Sequence, residues 1–416
     1  MTMKNTRAGW LYAAATLLLA LALVGAGCGR DDDEGGGGGG APGVTKDSIK
    51  LGGSYPFSGP ASAYGTIGRA AKAHFDWVNS KGGVNGRKIQ FTTLDDGYDP
   101  ARAVSNARRL VTQEKVFALF NTLGTANNLA IWDYTNQQKV PQVYVATGAS
   151  EFGEAPDKHP FTIGWQPDYV SEAKAYADFL KKEKPDAKVA VLYQNDSFGE
   201  NLTGGFEDAI KGSNIKIVAR ESYEVTDPSV APQVSKLATS GADTFLDVTT
   251  PKPGAQAIGT VAKSDWRPLH ILNNVAASKT LVLEPVGLKA AQGIVSTTYF
   301  KDPATSQWDN DPAMKEYKTQ LKKFAPKLNP NEPFNAYGWA AAATMVKALE
   351  QAGPDLDRDK LMDAVRNMDT EIGLLLPGIR IKTGEGDGFP IQSNQIMRFE
   401  GENWKLEGEV INSAEK

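Results

Sequence analysis

The chain has 416 residues, of which 41% are hydrophobic and 23% are charged, and its formal net charge is −4. This length is too great for one simple hydrophobic core, so we expect two lobes of ordinary size. The acidic balance excludes the basic excess of a nucleic-acid-binding protein, and the single cysteine excludes an internal disulfide bond.

The amino terminus has the pattern of a targeting segment. Lys4 and Arg7 precede the apolar stretch 10–27, which ends in small residues directly before Cys28. The stretch "LVGAGC" resembles a bacterial lipobox, except that Gly25 stands where that motif usually has leucine. We therefore predict a lipoprotein signal peptide, and an uncleaved membrane helix is the alternative.

This interpretation divides the amino-terminal region into two parts. Residues 1–27 are the predicted signal peptide, and residues 28–45 are a lipidated Cys28 followed by an acidic and Gly-rich linker, "GRDDDEGGGGGGAPG". Gly-rich linkers are flexible coils. The folded body is then expected to be tied by lipid to the outer face of the cell membrane, at the cell surface or the periplasmic face.

Strand-like and helix-like segments alternate from residue 48 onward, which predicts parallel sheets covered by helices on both faces. The first run has predicted strands 49–53, 89–94, 116–120 and 142–145, and predicted helices 61–79, 99–113 and 126–137. In helix 99–113, Asp99 is the expected N-cap and Pro100 the first helical residue.

A second run of the same kind begins near residue 168. Its predicted helices are 168–182, 199–210, 230–240 and 254–263, and its predicted strands are 188–193, 215–223, 244–248 and 269–272. The later segments 312–324, 335–351 and 358–367 are mostly helical, too few for a third lobe. They are expected to complete the first two.

Ligands of open parallel sheets bind beyond the carboxyl ends of the strands, so the loops there are the candidate site. These loops are rich in hydroxyl, amide and glycine residues. They are 55–65, 121–128, 145–150, 193–199, 248–254 and 272–278.

Signatures of catalysis are scarce. His74, His159 and His270 are scattered, and no helical histidine pair, phosphate-binding loop or nucleophile elbow is present in the sequence. Asp95 and Asp96 precede a turn, where capping is the simpler role. We predict a binding protein without metal or cofactor, and a two-lobed hydrolase is the alternative, because a catalytic triad can be hidden in sequence.

A set of ordered motifs identifies a family. They are "GPASAYG", "VNSKGGVNGRKIQ", "DDGYDP", "YQNDSFGE", "YEVTDPSV", "PKPGAQAI", "PLHILNNVAAS" and "LLPGIRI". Together they resemble the solute-binding proteins of ABC importers, of the branched-chain amino acid type. The resemblance covers about residues 46–412, and it implies the type I periplasmic-binding fold, an α/β fold of two doubly wound parallel-sheet lobes joined by three crossover strands.

The resemblance also implies domain boundaries and partners. Lobe 1 is expected at 46–164 plus 296–375 and lobe 2 at 165–295 plus 376–413, with crossings near Gly164, Ser296 and Leu376. The implied partners are a small organic solute and the membrane permease subunits of an ABC importer, with no nucleic acid and with the protein a monomer. A ligand sensor of the same fold is the alternative.

Ligand-contact residues are implied position by position. In amino-acid-binding members lobe 1 takes the carboxylate, and the matching positions here are Thr125 and, after the next strand, Ala146, Thr147 or Ser150. The aromatic of the first loop matches Tyr64, and Phe198 matches an aromatic that closes from lobe 2. For Thr125 the alternative is a helix N-cap, and for Phe198 it is a core residue.

The sequence departs from the family where an ammonium group is read. Asn274 stands at the acidic position, and Thr250 stands at the position of a cleft tyrosine. A disulfide seen in some members is absent, because Tyr98 and Gly124 occupy its places.

Because a buried ammonium needs an acidic partner, these departures favour an aromatic carboxylate over a branched-chain amino acid. Amino acid or amide binding is the alternative. Trp165 and Tyr337 are further candidate lining residues, and Asp196 is the nearest acid that could enter the cleft.

Overall fold

The computed structural model describes residues 41–154 and 156–413. The predicted lipidation site, Cys28, and the signal peptide lie outside these residues. Within the described part of the chain, no helix is both long and apolar enough to cross a membrane.

The first sheet is parallel throughout and has the strand order β2-β1-β3-β4-β5. Its strands are β1 (Ser48–Tyr55), β2 (Lys88–Asp95), β3 (Ala118–Phe120), β4 (Gln142–Val145) and β5 (Thr162–Gly164). The helices between them are α1 (Gly65–Ser80), α2 (Pro100–Thr112), α3 (Thr125–Gln137) and α4 (Glu151–Glu154), and a single 3₁₀ turn, Ser62–Tyr64, precedes α1.

The second sheet has the order β14-β13-β10-β9-β8-β6-β7. Its parallel part consists of β6 (Lys188–Gln194), β7 (Lys216–Tyr223), β8 (Thr244–Val248), β9 (Leu269–Leu272) and β10 (Val295–Thr298). The associated helices are α5 (Tyr169–Glu183), α6 (Ser197–Ile210), α7 (Ala231–Ala238), α8 (Pro251–Lys263) and α9 (Glu284–Val286), and a π-helical turn at Lys279–Leu283 leads into α9.

The carboxy-terminal part contains helices and a hairpin. The helices are α10 (Pro312–Phe324), α11 (Pro333–Ala352) and α12 (Arg358–Arg366), followed by the short pair β11 (Asp369–Thr370) and β12 (Ile381–Lys382). The antiparallel strands β13 (Ser393–Glu400) and β14 (Asn403–Asn412) close the second sheet beside β10.

Both sheets carry helices on both faces, as the alternation of elements predicts. On the first sheet, α1 and α11 share one apolar core cluster, whereas Ala107 and Leu110 of α2 pack with Ile131 of α3 in another. On the second sheet, α5 and α6 cover one face, and α7 and α8 cover the other.

The sequence interpretation missed the β13–β14 hairpin. Glu400 pairs with Asn403 across a tight turn in which Gly401 has φ of 64°. A glycine at such a turn between alternating apolar and polar residues is the usual signal of a hairpin. The second sheet is therefore mixed at this edge rather than parallel throughout.

Candidate ligand-binding cleft

A cleft lies where loops from both sheets face each other beyond the carboxyl ends of the parallel strands. The space between its walls is about 810 Å³, and this volume includes open solvent. Aromatic side chains dominate its lining: Tyr64, Tyr98, Tyr169, Phe198, Tyr299, Phe300, Phe334, Tyr337 and Trp404. Polar lining residues include Thr125, Gln166, Thr250, Asn274, Ser278, Thr298 and Asp302.

Most of the residues singled out in the sequence meet in this cleft. Tyr64, Thr125, Ala146, Phe198, Thr250 and Asn274 all line it, and so does Tyr337. Thr147 and Ser150 are not among its lining residues. Trp165 is fully buried in the core, where its Nε1 donates to Thr344 Oγ1 at 3.0 Å.

Thr125 is the first residue of α3, and its hydroxyl shares a 2.6 Å hydrogen bond with the hydroxyl of Thr147. Thr147 therefore lies behind Thr125 and can hold its rotamer. The capping alternative for Thr125 is wrong, because Gly124 is the N-cap and, among the described residues, no side chain forms a capping hydrogen bond at the start of this helix. The first N–H groups of α3 thus lie at the cleft without a side-chain acceptor.

Gly124 makes this approach possible. Its φ is 102°, and a Cβ there would lie 2.9 Å from the ring of Tyr98. A side chain at this position would be strained and would collide with a lining residue. Glycine therefore lets the start of α3 come close to the cleft.

Tyr64 connects the two walls of the cleft. Its hydroxyl donates to the carbonyl oxygen of Val275 at 2.8 Å, and its ring lies 5.1 Å from that of Phe334. Burial raises the pKa of Tyr64 well above its ordinary value, so the phenol stays a donor.

Ser150 contributes to a second contact between the loops, outside the cleft lining. Its backbone N–H donates to Asn201 Oδ1 at 3.3 Å, and Asn201 Nδ2 donates back to Ser150 Oγ at 3.2 Å. This pair joins the start of α4 to α6.

Phe198 lines the cleft with its ring 5.1 Å from that of Tyr169. Asp196, the acid suspected from the sequence, is instead the N-cap of α6. Its Oδ1 accepts from the N–H groups of Phe198 and Gly199 at 3.0 and 3.3 Å, and its Oδ2 accepts from Gln194 at 2.6 Å.

Asn274 is held from behind by a buried acid, Glu172 of α5. Glu172 Oε1 accepts from the backbone N–H of Asn274 and from the hydroxyl of Tyr176, each at 2.7 Å. Burial raises the pKa of Glu172 to about 7, although these two bonds oppose the shift. The side-chain amide of Asn274 donates to the carbonyl oxygen of Thr297.

Thr250, the other position at which the sequence departs from the family, lies against the buried Tyr223. Its backbone N–H donates to the hydroxyl of Tyr223 at 3.0 Å. Thr250 and Asn274 are therefore both anchored through their backbone, and neither carries charge into the cleft.

Asp302, which sequence reasoning missed, is the acid that lines the cleft. Its Oδ1 accepts from the backbone N–H of Ala304 at 2.8 Å, whereas its Oδ2 is covered and has no hydrogen-bond partner among the described residues. Burial raises the pKa of Asp302 to about 6, against the opposing effects of that bond, Lys279 and Lys318. The loops of Thr250 and Asn274 contain no acid, as the sequence indicates, and the acid of the cleft comes instead from the segment after β10.

Known proteins resemble this chain over most of its length. A family model described as periplasmic binding protein matches residues 48–403. A Leu/Ile/Val-binding protein homolog 7 of Brucella suis is 24% identical over 375 residues, which cover 87% of this chain and 90% of the relative.

Solved structures share the fold. A branched-chain amino acid ABC transporter protein of Thermus thermophilus with bound valine gives a TM-score of 0.80 at 18% identity, covering 89% of this chain and 98% of that one. A fatty acid ABC transporter substrate-binding protein of Thermomonospora curvata gives 0.78 at 22% identity, covering 90% and 95%. The printed names of these proteins refer to binding or to an ABC transporter, and none of them names an enzyme.

Proposed function

Because the chain belongs to the periplasmic binding protein family, we propose that its cleft captures a carboxylate-bearing solute with a large apolar body. The family places the protein outside the cytoplasm, as the solute-binding component of an ABC transporter. In our proposal the two walls close on the solute, and the closed form delivers it to the permease.

The main support for this proposal is the geometry at the start of α3. The helix points its uncapped amino terminus at the cleft beside the Thr125 hydroxyl. Free N–H groups and the positive end of the helix dipole favour an anion at such a position. A carboxylate placed there would receive hydrogen bonds from the backbone and from Thr125.

The aromatic lining supports a large apolar body for the solute. Apolar and aromatic walls with a few polar groups at fixed points are the usual design of a site for an organic molecule. Aromatic acids and long aliphatic acids both fit such a lining. We propose that both classes bind more tightly than leucine, isoleucine or valine.

One observation favours the second candidate, an amino acid. Asp302 is an acid in the same cleft, and an acid can balance a ligand ammonium group. The names of the relatives, which refer to Leu/Ile/Val and to valine, fit this candidate, whereas the fatty acid protein fits the first.

Thermal-shift and calorimetric titrations separate the candidates. Benzoate, a phenylpropanoid acid, octanoate and leucine are compared with the matching neutral amides benzamide and octanamide. We expect shifts with benzoate, the phenylpropanoid acid or octanoate, none with the amides, and a smaller shift with leucine. A shift with leucine alone would establish the amino acid candidate, and equal binding of acids and amides would remove the carboxylate from the proposal.

The predicted lobes and lipid anchor also stay proposals. Phe300 pairs with Leu375 in an antiparallel bridge next to the predicted crossings, and this pairing supports a hinge there. The anchor on Cys28 would keep the binding protein near its permease, since two or more acyl chains hold a protein firmly to a membrane.

A further inference from the structure

Part of the cleft lining comes from the segments after β9 and β10 and from the hairpin β13–β14. These lining residues are Ala277, Ser278, Met397 and Trp404, together with Asp302. The indole Nε1 of Trp404 donates to the carbonyl oxygen of Ala277 at 3.0 Å, so the hairpin β13–β14 is fixed against the segment after β9. This part of the lining is apolar except for Ser278 and Asp302.

The neighbouring acid Glu332 has hydrogen-bond partners for both of its carboxylate oxygens. Both of its oxygens accept from the Ser278 hydroxyl at 3.0 Å, and it also accepts from Thr280 and from the N–H of Phe334. Asp302 has only the bond from Ala304 on one oxygen, and its other oxygen is covered without a partner in the described part of the chain. A buried acceptor left unpaired costs free energy, so a ligand donor is the natural partner.

In the part of the chain that the structure describes, no lysine forms an ion pair with Asp302. Lys279 and Lys318 are the cations that act on Asp302. Lys279 Nζ, however, donates to Asn403 Oδ1 at 3.2 Å, and Lys318 Nζ lies 3.5 Å from Asp309 Oδ1. Neither lysine therefore forms an ion pair with Asp302, and its Oδ2 has no cationic partner among the described residues.

Asp302 and Thr125 come from different elements of the cleft lining and have different neighbours. Thr125 starts α3 beyond the first sheet, next to Thr147. Asp302 follows β10 of the second sheet, and the groups that interact with it electrostatically are Lys279, Lys318, Glu332 and Tyr317. The two sets share no member, whereas the ammonium of an α-amino acid lies directly beside its carboxylate.

We propose that Asp302 accepts a hydrogen bond from a hydroxyl or ammonium group that the solute carries at the end remote from its carboxylate. The inference rests on the proposed function, since it takes the carboxylate to be bound at α3. It narrows the substrate class to solutes with an apolar body, an acid at one end and a donor at the other.

Matched linear acids test this proposal with the purified full-length protein. The probes are octanoate, ω-hydroxyoctanoate and ω-aminooctanoate, with their hexanoate and decanoate counterparts, each titrated by calorimetry. Because one good hydrogen bond to a charged group is worth about tenfold or more in affinity, we expect the ω-hydroxy and ω-amino acids to bind about tenfold tighter than the plain acid at one chain length.

Substitutions test whether Asp302 causes the tighter binding of the ω-hydroxy and ω-amino acids. Asp302→Leu should bind both of them no more tightly than the plain acid. Asp302→Asn, which keeps a neutral acceptor, should keep the preference for the hydroxyl and lose it for the ammonium group. Glu316→Gln, at an exposed position of α10, is the control and should behave as wild type. Melting temperatures measured alongside report whether each variant is folded.

Two negative results are distinguishable. If the plain acids bind but a terminal donor improves binding at no chain length, or if Asp302→Leu keeps the preference, this inference is wrong and the proposed function stands. If none of the plain acids, benzoate or leucine binds, the proposed function is wrong, and this inference is overturned with it.

Discussion

The hydroxyl of Tyr64 donates to the carbonyl oxygen of Val275 at 2.8 Å, and this bond joins the loop after β1 in the first sheet to the segment after β9 in the second. Two walls of the cleft are thus tied at a point lined by aromatic rings. We therefore expect the affinity of the site to depend on this bond.

Tyr64→Phe removes the hydroxyl, and with it the hydrogen bond to Val275, while preserving the ring contact with Phe334. The net loss of one hydrogen bond is about 0.5–1.5 kcal/mol, which we expect to appear as lower affinity for the bound acid in calorimetry. Tyr134→Phe, on the partly exposed face of α3, is the control. Equal affinity of wild type and Tyr64→Phe would show that the bond does not report on ligand binding.

The walls should move together when ligand binds. Hinge closure around a solute is a common mode of conformational change in two-lobed binding proteins. Small-angle scattering should therefore give a smaller radius of gyration at saturating ligand than without it. An unchanged radius at confirmed saturation would exclude closure between lobes.

Thr125→Ala should weaken binding of a carboxylate by about 1–3 kcal/mol, because a charged ligand group would lose a hydroxyl donor. Thr125→Ser keeps that donor and should restore most of the affinity, whereas Thr112→Ala on the exposed face of α2 should change nothing. If Thr125→Ala binds within about twofold of wild type, the carboxylate does not lie at the start of α3.

Much of the fold follows from local signals in the sequence. The strands Thr244–Val248 and Leu269–Leu272 and the helix Pro312–Phe324 have the predicted bounds. In the helix, Asp311 caps and Pro312 occupies the first turn. Such signals are local, so sequence is sufficient to find them.

Asp302 could not be found in this way. It lies in an irregular segment between β10 and α10, without periodicity or a capping pattern of its own. Its position depends on distant pairing, because the N–H of Lys301 donates to the carbonyl oxygen of Leu374 at 2.8 Å and Lys301 Nζ reaches Gly373 and Asp311. Long-range contacts of this kind leave no local mark in a single sequence.

Cys28→Ser should release the protein from membranes if Cys28 carries the lipid anchor, since acyl chains would then provide the membrane affinity. Fractionation with a carbonate wash, followed by immunoblotting, measures this. Substitution of Ser62, in the turn before α1, should leave the protein at the membrane. A Cys28→Ser protein that stays membrane-bound would point to an uncleaved apolar segment instead.

Glu172→Gln should make the protein less sensitive to pH. The pKa of Glu172 is raised by burial to about 7 from an ordinary value of 4.5, so the folded state holds a proton that the unfolded state has lost between about pH 4.5 and 7. Stability therefore falls as pH rises through this window, by an amount on the order of 3 kcal/mol at pH 8.

Glutamine keeps an acceptor for the Asn274 N–H and the Tyr176 hydroxyl without an ionisable proton. The melting temperature of Glu172→Gln minus that of wild type should therefore be larger at pH 8 than at pH 5. Glu183→Gln, at the exposed end of the same helix, should show no such trend. Because Glu332 is also buried and its pKa is raised to about 7, the variant should retain part of the pH dependence. A difference between Glu172→Gln and wild type that does not change from pH 5 to pH 8 would mean that Glu172 does not titrate in this range.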